Sequence, residues 1–129
     1  MKILVAHESP RLLDRIICLI SELKGVEIIG HTGDWPATLQ ATRRLLPDVV
    51  IMNVQLIRGR RIDALRDIKA ENPLSTLIVL TTLDDAPYRR RCLDAGVDFC
   101  LDGSTEVGRL GEIIHGLHRR FGMGSKALP

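Results

Sequence analysis

Five short apolar runs punctuate this chain: KILVA at 2–6, VEIIGHT at 26–32, DVVIMNV at 48–54, STLIVLTT at 75–82 and DFCL at 98–101. Between them the apolar residues recur every three or four positions instead of continuously. A repeated switch between these periods is the signature of strands alternating with amphipathic helices. The runs are apolar throughout rather than alternating with polar residues, as expected of parallel strands covered on both faces. Short connections and right-handed crossovers then leave an α/β doubly wound parallel sheet with helices on both sides.

The helix signals agree with that order. Ser9 is placed to cap a first helix that begins at Pro10, where a missing N–H costs nothing, and Leu12, Leu13, Ile16, Ile17, Ile20 and Leu23 form its apolar face. Asp34 and Pro36 open a second helix, expected to run to about Leu46 and to be stopped by Pro47. A third spans Ile62–Glu71, with Asn72-Pro73 as its stop signal. A fourth over 86–95 ends at Gly96, and a last one covers Val107–Arg120, capped by Ser104 or Thr105. There is no internal repeat and no linker, so 1–122 reads as one domain and 123–129 as a C-terminal tail.

At 129 residues the chain is long enough for one self-supporting core. Aromatic residues supply only 3% of it, so Leu, Ile and Val must fill the interior. A net charge of +2 is too mild to mark a dedicated nucleic-acid domain. Cys18, Cys92 and Cys100 are odd in number and lack metal-ligand spacing, which favours buried thiols in a reducing, cytoplasmic setting over a disulfide. No stretch is long and apolar enough for a membrane span, and MKILVA lacks the separate regions of a signal peptide.

In a doubly wound sheet the site lies beyond the carboxyl ends of the strands. Those ends are His7-Glu8-Ser9, Gly33-Asp34, Asn53-Val54-Gln55, Thr81-Thr82 and Asp102-Gly103. No GxGxxG or GxxxxGK[ST] loop accompanies them, which disfavours nucleotide and flavin binding. The hydroxyls of Ser9, Thr81 and Thr82 show no triad-like spacing, and a helix cap and strand-end hydrogen bonds account for them.

KILVAHESP, PDVVIMNV, IDALRDIK, IVLTT and DAGVDFCLDGS, in that order, resemble the receiver domain of bacterial response regulators over nearly the whole chain. The resemblance implies a flavodoxin-like (βα)5 fold with strand order 2-1-3-4-5. Active members of that family take a phosphoryl group on an aspartate ending strand three, with Mg²⁺ held by an acidic pair after strand one. Here the acidic pair falls on His7 and Glu8, and the phosphoacceptor on Asn53. The strand-four hydroxyl remains as Thr81, while the strand-five lysine falls on Gly103, the aromatic switch on Cys100, and the proline after the acceptor on Ile57.

Charge sets the consequence. Clustered carboxylates make a strong site for a hard cation, and a set reduced to about one negative charge does not. An amide is no nucleophile, and without a lysine nothing neutralises the phosphoryl oxygens. The expectation is a non-phosphorylatable, non-enzymatic receiver with no cofactor and weak or absent Mg²⁺ binding, acting in signal transduction through protein contacts. Its partner would be a sensor kinase, another regulator or a second copy of the chain, with neither membrane nor nucleic acid involved. The resembled family uses its α4–β5–α5 face for such contacts, which here draws on Tyr88, Arg89, Arg90 and Cys100.

His7 reads as a pocket residue, with a half-exposed histidine of no role as the bland alternative and a pH sensor as a sharper one. Arg58, Arg60 and Arg61 line the loop after strand three, where they could meet an anion or an acidic surface; Arg89, Arg90, Arg91, Arg119 and Arg120 read as solvated faces. Asp84, Asp85 and Asp102 follow strands four and five, so a rebuilt metal site with Glu8 is disfavoured. Trp35 either packs over the second helix or stands exposed. Two competing functions are a phosphorelay receiver with a displaced acceptor, and a module that binds an anion or small ligand in the vacated pocket with help from Arg58, Arg60 and Arg61.

Overall fold

The computed structural model describes residues 1–81, 86–103 and 105–127. Its elements run β1 (Lys2–Ala6), α1 (Pro10–Ser21), β2 (Glu27–Thr32), α2 (Trp35–Leu45), β3 (Val49–Asn53), α3 (Leu65–Glu71), β4 (Thr76–Thr81), α4 (Ala86–Asp94), β5 (Phe99–Asp102) and α5 (Arg109–Ala127). All strand pairs are parallel and the order is β2-β1-β3-β4-β5, the flavodoxin-like arrangement expected.

The continuous apolar strands are explained by two cores, one on each face of the sheet. Successive side chains point to opposite faces, so Leu4, Val50, Met52, Leu77 and Val79 join Trp35, Leu65, Ile68 and Cys92 on the side of α2, α3 and α4. Ile3, Val5, Val49, Ile51, Ile78 and Leu80 join Ile16, Ile20, Leu110 and Ile114 on the side of α1 and α5. Full burial of an aliphatic side chain contributes about 1.5–3 kcal/mol, so Ile20, wholly buried beneath α1, does more to dock that helix than its cap does. Trp35 is buried, which settles the choice left open for it.

The ends of the helices follow local chemistry. The Ser9 side chain accepts the Leu12 N–H, with Pro10 beginning α1. The Asp34 carboxylate accepts the Ala37 N–H at 2.8 Å to open α2. Pro47 disfavours a helical conformation at the residue before it, and Leu46 accordingly turns left-handed at φ 48°, one residue short of the expected end.

Several expectations need correction. Val54 leaves the strand, because the apolar run continues as a 3₁₀ turn over Val54–Ile57. Ile62–Ala64 is likewise a 3₁₀ turn, and only Leu65–Glu71 is α-helical. Thr105 does not cap α5, which starts at Arg109; its N–H is held by the Asp102 carboxylate at 3.2 Å. Ser104, Thr82, Asp84 and Asp85 lie outside the described residues. The helical backbone of α5 runs past Arg120 to Ala127, into the expected tail, since the first residue able to remove a helical N–H is Pro129. Cys18 is exposed rather than buried, because the buried stripe of α1 is Leu13, Ile16 and Ile20.

Candidate functional site

His7 and Glu8 follow β1, Asn53 ends β3, Thr81 ends β4 and Gly103 follows β5. Adjacent parallel strands bring these positions to one edge of the sheet: Ala6 pairs with Met52, Asn53 with Leu80, and Thr81 with Asp102.

At the centre of that edge Asn53 is buried and donates Nδ2 to both Glu8 carboxylate oxygens, at 2.8 and 3.0 Å. The amide orientation follows from charge, since its oxygen facing a carboxylate would repel. His7 is also buried. Its backbone N–H reaches Thr32 O at 3.0 Å, and its Nδ1 accepts the Ser9 N–H at 3.0 Å. An acceptor Nδ1 places the ring proton on Nε2. The 3.1 Å separation of Nδ1 from Glu8 Oε1 is therefore not an ion pair while the ring is neutral. Burial pushes the His7 pKa down, and the Glu8 charge only partly opposes it.

Thr81 is fully buried and its carbonyl accepts the Gly103 N–H at 2.9 Å. A Cβ on Gly103 would lie 3.6 Å from Leu80 Cβ and 3.9 Å from the Thr81 carbonyl, ordinary contacts that leave room for a side chain. Beside the glycine is a cavity of about 360 Å³, lined by His7, Leu12, Arg15, Ile16, Asn53, Leu80, Gly103 and Val107. Arg58, Arg60 and Arg61 do not reach it, contrary to the expectation that they would serve the vacated pocket. They line a separate groove of about 490 Å³ with Tyr88 and Arg91, because the 3₁₀ turn after Asn53 carries the loop toward α4.

Asp102 is buried and its carboxylate accepts the Thr105 N–H at 3.2 Å. Among the described residues no group of three or more His, Cys, Asp or Glu side chains is arranged to hold a metal ion.

Glu106 was not foreseen as a structural hub. It accepts the Asp102 N–H at 3.0 Å, Arg89 Nη2 at 2.6 Å and Arg109 Nη1 at 2.8 Å. The backbone bond first, then the two guanidiniums, hold its carboxyl at about 2. Arg89 is thus a strut between α4 and the entrance of α5 rather than a solvated charge. Of these contacts only that with Arg109, three residues on, joins near neighbours in sequence. The neighbouring Cys92 thiol lowers the Cys100 pKa, as does Arg89 to a smaller degree, while Cys100 and burial raise that of Cys92. Tyr88 is half-buried against the α2–α3–α4 core and Arg90 is exposed.

The response regulator receiver domain model matches residues 3–115. The chain belongs to that family. This receiver is 25% identical over 121 residues to the response regulator GacA of Pseudomonas aeruginosa, covering 94% of the chain and 55% of GacA. It is 30% identical over 122 residues to a protein-glutamate methylesterase/protein-glutamine glutaminase of Rhizobium etli, covering 94% of the chain but 33% of that enzyme. It spans about half the length or less of such curated relatives. The fold is shared with the receiver domain of the putative regulator NarL from Mycobacterium tuberculosis (TM-score 0.80, 14% identity, 92% of this chain and 95% of that one). It is shared equally with the isolated receiver domain of RcsB from Salmonella enterica (TM-score 0.82, 20% identity, 92% and 88%). Among the described residues no helix of this receiver is long and apolar enough to cross a membrane.

Proposed function

We propose that this receiver takes no phosphoryl group and signals through a fixed protein-contact surface. The observation that carries this reading is the Asn53–Glu8 pair: an amide stands where the family's nucleophile would, and it occupies the one carboxylate beside it. With His7 neutral, the edge formed by β1 and β3 holds about one negative charge. Hard divalent cations need several oxygen ligands, preferably anionic. A Glu8 already bonded to Asn53 and a His7 Nδ1 already bonded to Ser9 do not fit that requirement, so Mg²⁺ should bind weakly or not at all. Gly103 supplies no cation for phosphoryl oxygens.

The same geometry favours one conformation over a switched one. Glu106 ties Arg89 on α4 to Arg109 on α5 and to the backbone of β5, and Cys100 replaces the aromatic side chain that the family moves. The α4–β5–α5 face, with Arg90 exposed and Cys100 half-buried, would then be presented permanently to a sensor kinase, another regulator or a second copy. No chemistry of its own is required of the chain. Intact mass spectrometry after incubation with a small phosphodonor and Mg²⁺ tests the reading. An unchanged mass is expected, and a gain of one phosphoryl group overturns it.

A further inference from the structure

We infer that the groove between the loop after β3 and α4 is a docking site for an acidic segment of a partner protein. Arg58, Arg60 and Arg61 line one side and Arg91 the other, with Asp63 as the single carboxylate among the lining residues. All four arginines are exposed. Arg58, Arg60 and Arg91 make no ion pair among the described residues, and Arg61 lies 3.9 Å from Asp63, with both side chains largely in solvent. Among the described residues the excess positive charge is therefore uncompensated. This contrasts with Arg43 and Arg89, each held by a glutamate.

The shape of the groove decides which anion it suits. Each exposed guanidinium gains little from one carboxylate in high dielectric, so a compact anion touching one or two of them gains little in total. A chain with several spaced carboxylates engages all four at once, and a linked set of weak contacts binds far more tightly than any one of them. Complementary charge also speeds and orients encounter. The groove's floor is fixed: Val54 and Ile57 are buried, and the turn is tied by Arg58 N–H to Gln55 O at 3.0 Å and Arg60 N–H to Ile57 O at 2.8 Å. The guanidiniums thus spring from a preorganised loop. This surface is bounded by the loop before α3 and by Tyr88 and Arg91 of α4, and it deepens the protein-contact reading by naming the chemistry of the contact.

Fluorescence anisotropy of fluorescein-labelled hexaglutamate against the whole chain tests it, independently of the phosphodonor experiment. Saturable binding at low ionic strength is expected, weakening about tenfold or more at physiological salt as the charges are screened. Arg58→Ala/Arg60→Ala should weaken binding about tenfold, whereas Arg44→Ala/Arg119→Ala, which removes the same charge from exposed sites elsewhere, should change it less than about twofold. Equal loss in both double variants would reduce the effect to net charge and overturn the proposal. So would displacement of the probe by inorganic tripolyphosphate at lower concentration than by unlabelled hexaglutamate, which would assign the groove to a compact phosphate. Circular dichroism confirms that each variant remains folded.

Discussion

Asn53 Nδ2 bridges both carboxylate oxygens of Glu8, joining the end of β3 to the turn after β1 across 45 residues of sequence. Hydrogen bonds to a charged partner contribute about 1.5–3 kcal/mol, so this contact stabilises the edge formed by the ends of β1 and β3. Asn53→Asp replaces the donor with a second anion. We expect a loss of about 2 kcal/mol in urea unfolding at low ionic strength, partly recovered on adding Mg²⁺ because a cation then relieves the repulsion. Unchanged stability would mean that the amide bridge contributes nothing.

His7 gives the chain a pH dependence with a definite sign. Burial lowers its folded pKa below the ordinary value of 6.5, so the unfolded chain binds the proton more readily. The neutral ring's contribution is complete above 6.5 and is lost as pH falls below it toward the folded value. Urea midpoints measured from pH 7.5 down to 5.5 should fall, and His7→Gln should flatten that slope. A midpoint that rises on acidification would show that pairing of the protonated ring with Glu8 outweighs burial.

The strand and helix order could be read from the sequence because period and caps are local: Ser9-Pro10 and Asp34 begin helices in the structure as their chemistry dictates. Errors fall where two local readings compete. Val54–Ile57 is apolar enough to extend a strand, yet forms a 3₁₀ turn, and this displaces Arg58, Arg60 and Arg61 from the cavity to the α4 groove. Leu12 fits the helical stripe of α1 but is 43% exposed, at the mouth of the cavity. The Arg89–Glu106 pair could not be read, because its partners sit on different elements and no spacing rule links residues 17 apart.

The three thiols should differ in reactivity. Cys18 is exposed, Cys100 is half-buried with its pKa lowered by the neighbouring Cys92 thiol and by Arg89, and Cys92 is buried with its pKa raised. Since the thiolate is the reacting species, a Cys18→Ser chain treated with iodoacetamide at pH 7.5 should be alkylated at Cys100 first. Cys92 should remain protected until denaturant is added. Peptide mapping reads this directly, and labelling of Cys92 at a rate equal to Cys100 would contradict the assigned pair.

Glu106 offers the sharpest test of a rigid α4–β5–α5 face. Its carboxyl is held at about 2, below its ordinary 4.5, by the Asp102 N–H, Arg89 and Arg109. A depressed carboxylate stabilises the fold fully above its unfolded pKa, and that contribution drains away as pH falls from about 4.5 toward about 2. Glu106→Gln keeps the shape but removes the charge on which both guanidiniums depend. It should lower the thermal midpoint at pH 7 by a few degrees and blunt the acid-induced loss between those two values. Amide exchange should accelerate at the start of α5 and in α4 together, because one carboxylate ties both. Faster exchange confined to α5 would mean that Arg89 holds α4 by other means and that the face is less rigid than its hydrogen bonds imply.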